Sequence, residues 1–257
     1  MNVNKFTHLS CQLRLGLVLI LAMTLFASVQ STTTAKGEDA TALVTKAAET
    51  MAGLDSFGFE LSTVEGESTI LRNLELVGVV GSVQRPDSFE ATITAKVAIV
   101  EVSVDIIGIG SQIWVTDPLS SDKTYIDVTG STGGSTEAQE LSNLINPDRL
   151  LLAAASRVKN AVVDGTEDID GVETTRVVGV VDLSELENMA AGTPVAGIDI
   201  LTLGEMPVTL WIDGDGQLIS LELEGPLTSA ESPNVVRRLD LFEFNERVQI
   251  DAPENVS

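Results

Sequence analysis

The sequence predicts an α+β fold that is mainly antiparallel β. The expected form is a single strongly curved sheet, a half-barrel of about eleven strands with helices on its concave side. Three observations lead there. Strand-length segments alternate apolar with polar residues, so one face of each is buried and the other wet. Short turns separate successive segments, which suits antiparallel neighbours, because parallel strands need long crossovers. The helical segments are too few to cover so wide an apolar face closely, so a large sheet must curl and leave an apolar cavity beneath the helices. A closed sandwich or barrel packed solid is the alternative.

The elements follow in order. Ala42 to Leu54 reads as a helix, with Leu43, Ala47, Met51 and Leu54 at helical spacing and Gly53 near its end. Phe57 to Val64 and Leu71 to Val83 are the first strands, the second ending at the turn Arg85-Pro86-Asp87. From Phe89 to Val97 every odd position is apolar and every even one polar. Val102, Val104 and Ile106 continue that phase in the next strand, and Ile113 to Thr116 and Thr124 to Val128 are shorter strands. Residues 129–136 are a Gly/Ser/Thr-rich loop, and Glu137 to Ile145 reads as a helix. Asn146-Pro147 opens another helix whose body, Leu150 to Ala155, is apolar all round. Val162 to Ile169 and Val172 to Val181 form a hairpin across Asp170-Gly171. Ser184-Glu185-Leu186-Glu187 opens a short helix that stops near Gly192. Val208 to Ile212 and Leu218 to Glu224 form a second hairpin, Arg237 to Phe244 is the last long strand, and Val248-Gln249-Ile250 adds a short edge.

Composition excludes much chemistry. The chain has 257 residues, one Cys, one His and a net charge of −23. Lys5 and Arg14 precede the apolar run Leu15 to Ala27, which has the order of a secretory signal peptide and falls short of a membrane span. Cleavage is expected near Val29-Gln30-Ser31 or Thr33-Thr34-Ala35, with an uncleaved anchor as the alternative. Residues 1–31 are thus assigned as the leader, 32–40 as a polar linker and 41–257 as one half-barrel domain. Cys11 and His8 both fall in the leader, so the mature chain has no disulfide, no Cys- or His-built zinc site, no Cys nucleophile and no Ser-His-Asp triad. Removing two leader cations from 15 leaves 13 basic residues against 38 acidic, a net of −25, which argues against nucleic-acid binding. A hydrophobic content of 44% argues for a folded chain with a substantial core.

A set of segments resembles the LppX/LprAFG lipoproteins of mycobacteria and their relatives. They include Gly78-Val79-Val80-Gly81, Arg85-Pro86-Asp87-Ser88-Phe89-Glu90-Ala91 and Gly110-Ser111-Gln112-Ile113-Trp114-Val115-Thr116-Asp117-Pro118. Further on come Asn146-Pro147-Asp148-Arg149, Gly171-Val172-Glu173-Thr174-Thr175-Arg176-Val177, Pro207-Val208-Thr209-Leu210-Trp211-Ile212-Asp213 and Phe244-Asn245-Glu246. The resemblance runs from about residue 40 to 254 and rests on order and spacing. It implies a bent antiparallel sheet with helices inside the bend, and a cavity that binds acylated lipids or glycolipids. Family members are usually anchored through a cysteine after the leader. Here the single cysteine precedes the apolar run, which points to secretion or an uncleaved leader in the cell envelope.

The candidate lipid-binding residues are Val97, Ile99, Val104, Ile106, Leu151, Leu221 and Leu223, on apolar strand faces or the apolar helix. Each is cavity lining or ordinary core. Trp114 and Trp211 sit on the polar phase, either packed under a loop or at a cavity mouth. Asp213-Gly214-Asp215-Gly216 reads as a hairpin turn rather than a calcium loop, and Glu167-Asp168-Ile169-Asp170 as a solvated turn rather than a glycosidase pair. No catalytic residue, metal or cofactor is expected. The expected function is that of an exported carrier sheltering acyl chains of a lipid or glycolipid, loaded by a membrane transporter. The alternative is an envelope sensor or protein-interaction module on the same scaffold.

Overall fold

The computed structural model describes residues 39–70, 74–117, 123–129, 157–182, 204–227 and 231–257. Helix α1 (Ala40–Ala52) opens the fold, with the Asp39 side chain accepting from Thr41 N at 3.1 Å as its N-cap. Leu43, Val44, Ala47 and Met51 form its buried stripe. Its C-terminus is tied down from elsewhere. Arg85 Nη1 donates to the carbonyls of Met51, Ala52 and Leu54 at 2.7, 3.0 and 2.5 Å, placing a cation at the negative end of the helix.

Strands β1 (Ser56–Glu65), β2 (Ser68–Ile70), β3 (Leu74–Gln84), β4 (Ser88–Val97), β5 (Val100–Ile109), β6 (Gln112–Thr116) and β7 (Tyr125–Asp127) follow. After them come β8 (Val158–Ile169), β9 (Val172–Asp182), β10 (Glu205–Asp213), β11 (Leu218–Glu224) and β12 (Val236–Phe242). Together they form one open sheet of 12 strands in the order β7-β6-β5-β4-β3-β1-β12-β11-β10-β9-β8, with β2 beside β3. Every strand pairing is antiparallel, as the short turns require. The sheet is thus two meanders joined where β1 pairs with β12, Phe59 opposite Leu241 and Leu61 opposite Leu239.

Three differences from the sequence reading have clear causes. β2 is an extra three-residue strand, too short to show a period. Val248-Gln249-Ile250 is irregular; the edge contact falls further on, where Val256 bridges Tyr125 in parallel. β8 begins at Val158 rather than Val162, because Val158 and Lys159 already pair with Val181 and Val180 of β9. The leader with Cys11 and His8, and the helices expected at 137–145, 150–155 and 184–191, lie outside the described residues.

One apolar cluster runs under the sheet, from Ile106 on β5 through Val79, Phe59 and Leu241 to Val177 and Val181 on β9, and takes in the stripe of α1. Glycines in the strands make room for rings. Phe59 lies over Gly81, Phe89 over Gly108 and Phe242 over Gly58. A Cβ on Gly81 would meet the Phe59 ring at 2.8 Å and the backbone carbonyl of Glu90 closer still. The carbonyl belongs to the neighbouring strand and cannot swing aside. Gly81→Ala is therefore expected to destabilise the fold by about 1–3 kcal/mol in denaturant unfolding. An unchanged midpoint would refute this packing.

Candidate functional site

The apolar face of the sheet is the feature that could act. Its cover is uneven. Near the β1 start, the β3–β4 turn and the β10–β11 turn it is closed: Phe57, Val83, Phe89, Ile212 and Leu218 are all buried. Towards the other end of the same strands the cover is mixed: Leu76, Val181, Met206 and Val208 are buried, but other apolar side chains are only half-buried. Leu61, Val104, Leu223 and Leu239 are partly buried against the core, as are Ile113 and Val115 on β6. These six form the candidate binding face.

The residues singled out from sequence fall on this face unequally. Val104 stands opposite Ile93 and is half-buried. Ile106, opposite Ala91, is fully buried core. Leu221 is buried between Leu210 and Leu239, and Leu223, opposite Val208, is half-buried. Val97 closes β4 opposite Val100. Leu151 lies outside the described residues. Ile99 is not on the apolar face: it occupies the two-residue turn between β4 and β5 and is 93% exposed. Alternation carried past the end of a strand has no meaning, because the turn breaks the pleat that creates it. Leu61 and Leu239 were missed for a different reason. They have the right phase, but only the pairing of β1 with β12 brings them beside Leu221.

The half-buried stretch ends at a buried charge. Arg237 shares the face of Leu223, yet its side chain is 7% exposed and ion-paired with Glu231, itself 1% exposed. Arg237 also donates to Ser68 Oγ and the Gly225 carbonyl, both at 3.0 Å. Glu231 accepts further from the backbone N–H of Thr69 at 2.9 Å and of Leu227 at 2.7 Å. The network clamps the segment between β11 and β12 onto β2. Beside it is a pocket of about 510 Å³ lined by Gly66, Glu67, Thr69, Glu231 and Ser232. It is a polar recess, different from the apolar hollow that the strand pattern leads one to expect.

The opposite face carries polar cross-strand chemistry. Trp211 packs there and is 3% exposed, with Nε1 donating to Glu167 Oε2 at 2.8 Å and the Arg238 guanidinium 5.3 Å from the ring centre. It is therefore a packing residue of the polar face and not a cavity rim. Glu167 is committed to that bond, and Asp168 Oδ1 accepts from Gly171 N at 2.8 Å inside the turn. Asp213 Oδ1 accepts from Asp215 N at 3.0 Å and Gln217 N at 2.7 Å, which makes its loop an Asx-type turn. Burial pushes the Glu90 carboxyl up, and burial followed by the Asp105 charge pushes the Tyr125 phenol up. Among the described residues no group of three or more His, Cys, Asp or Glu could hold a metal ion.

Comparison with known proteins adds an independent finding. A model of the family described as LppX_LprAFG lipoprotein matches residues 39–250. Lipoprotein LprA of Mycobacterium tuberculosis is 25% identical over 192 residues, 74% of each chain. The lipoarabinomannan carrier protein LprG of Mycolicibacterium smegmatis is 27% identical over 128 residues, 49% of each chain. The crystal structure of LprF from Mycobacterium bovis superposes with a TM-score of 0.59 at 19% identity, covering 83% of this chain and 96% of that one, a likeness of fold.

Proposed function

The chain belongs to the LppX_LprAFG lipoprotein family, and from that premise we propose that it is an exported, non-enzymatic carrier of acylated lipid or glycolipid. The observation that carries this reading is the half-covered apolar face. Leu61, Val104, Leu223 and Leu239 pack against the core yet are only partly buried. An acyl chain laid along them would complete the burial. Burial contributes about 0.8 kcal/mol per methylene, so a long chain supplies ample gross affinity without any charged contact. That LprG is named a lipoarabinomannan carrier supports the same class of cargo.

In this reading Ile106 and Leu221 form the floor of the site and Val104 and Leu223 its open wall. Val97 and Leu151 belong to the same proposed lipid-binding set. Residues 41–257 act as the lipid-binding domain and residues 1–31 export it to the cell envelope or beyond. A membrane transporter would load the cargo. The carrier does no bond chemistry in this reading: Asp168 and Asp213 are held by turn N–H groups, Glu167 by Trp211 and Glu222 by Arg238.

The test is mass spectrometry of an organic extract of protein purified from its native envelope. An acylated lipid is expected in stoichiometric yield. Repeated recovery of lipid-free protein would overturn the carrier reading.

A further inference from the structure

We propose that the tip of the β4–β5 hairpin, Ala98-Ile99-Val100, is where the protein touches a neutral lipid bilayer. The tip breaks two local rules at once. Val97 pairs with Val100, so Ala98 and Ile99 are the two central residues of the turn. Ala98 has φ 58. A two-residue hairpin with positive φ at its first central position normally takes glycine there. Ile99 is 93% exposed and Val100 is 58% exposed, although a tight hairpin turn normally carries polar residues. Departures of this kind from local preference are expected at functional sites.

The hairpin also stands clear of its neighbour. Pairing of β5 with β6 begins at Ile106 opposite Val115, and Asp105 N donates to Thr116 Oγ1 of β6 at 2.8 Å, so among the described residues 100–104 of β5 have no β6 partner. Behind the tip, Lys96 is neutralised by Glu75 at 3.5 Å. The tip lies at the sheet end where Leu61, Val104 and Leu223 are half-buried, not at the closed end.

Size selects the occupant. A stable protein interface buries about 800 Å² on each partner, far more than a three-residue tip can offer. A few apolar side chains dipped into a bilayer bind weakly and reversibly, as a carrier needs. Charge selects the lipid. Glu101 flanks the tip, and a chain of net −23 is repelled by anionic headgroups, so a zwitterionic surface is favoured. The role given to the contact, loading or delivery of cargo, rests on the carrier reading; the contact itself does not.

The test uses the full-length chain with Cys11→Ser and an environment-sensitive dye on Ile99→Cys or, at the far end of the sheet, on Asp215→Cys. Phosphatidylcholine vesicles are expected to brighten and blue-shift the dye at position 99 and leave the dye at 215 unchanged. Adding Val100→Asp to the Ile99→Cys protein is expected to raise the half-maximal lipid concentration about tenfold. Silence at 99 would overturn the proposal and point to a protein partner. An equal response at both sites, or a response only to anionic vesicles, would overturn it too. Extraction of cargo from the same dye-bearing protein separates the two readings: cargo present with a silent tip sinks only this inference.

Discussion

Arg237→Ala is expected to destabilise the protein by about 3–5 kcal/mol, because it takes the Arg237 guanidinium away from the buried Glu231 carboxylate. The side chains are 7% and 1% exposed, so the ion pair is shielded from solvent in the folded protein. Ser68 Oγ and the Gly225 carbonyl would lose their donors as well. The double variant Arg237→Met with Glu231→Leu removes both charges together. It should recover much of the loss, since two apolar side chains of similar size incur no desolvation of charge. Urea unfolding of the three proteins measures this directly. If Arg237→Ala unfolds at the wild-type midpoint, the clamp between β2 and the β11–β12 segment contributes nothing, and its burial has been misjudged.

Phe57→Ala should cost a similar amount, about 3–5 kcal/mol, by a different route. Phe57 is 0% exposed and faces Val83 across β1 and β3. The Arg85 guanidinium lies 5.7 Å from its ring centre while bonding three carbonyls at the end of α1. The ring thus fills the closed end of the core and steadies the residue that anchors the helix. Phe57→Leu, which keeps most of the volume, should cost less than about 1.5 kcal/mol. Thermal unfolding followed by far-ultraviolet circular dichroism would report both. Equal effects of the two variants would show that the cavity term is not the cause.

Strand by strand, much of this architecture could be read directly. The alternation from Phe89 to Val97 gives a strand at Ser88–Val97 with Phe89, Ala91 and Ile93 buried. Asp170-Gly171 and Asp213 to Gly216 are hairpin turns as their residues suggest. Of the candidate site residues, Val104, Ile106, Leu221 and Leu223 do lie on the apolar face. Ile99 does not, because phase ends where the pleat ends. Trp211 lies on the polar face as its phase suggests, but its burial there, and that of Arg237 on the apolar face, could not be read from the pattern. The first is a large ring buried on the polar face by Glu167 and Arg238; the second is a cation buried on the apolar face by Glu231. Each has a partner on a different strand or loop.

The division follows from the range of the forces. Period-two alternation, turn chemistry and the absence of Cys and His beyond residue 11 are local or compositional, so the sequence by itself determined an antiparallel, one-sided apolar sheet with no thiol or imidazole of its own. Which strands meet is not local. Pairing β1 with β12 joins Gly58 to Phe242 across most of the chain, and it sets Leu61 beside Leu239. Closing so long a loop is rewarded only by contacts that exist once the sheet has formed. Tertiary structure alone therefore decided where the apolar face is sealed, where it stays half open, and which buried charges find their partners.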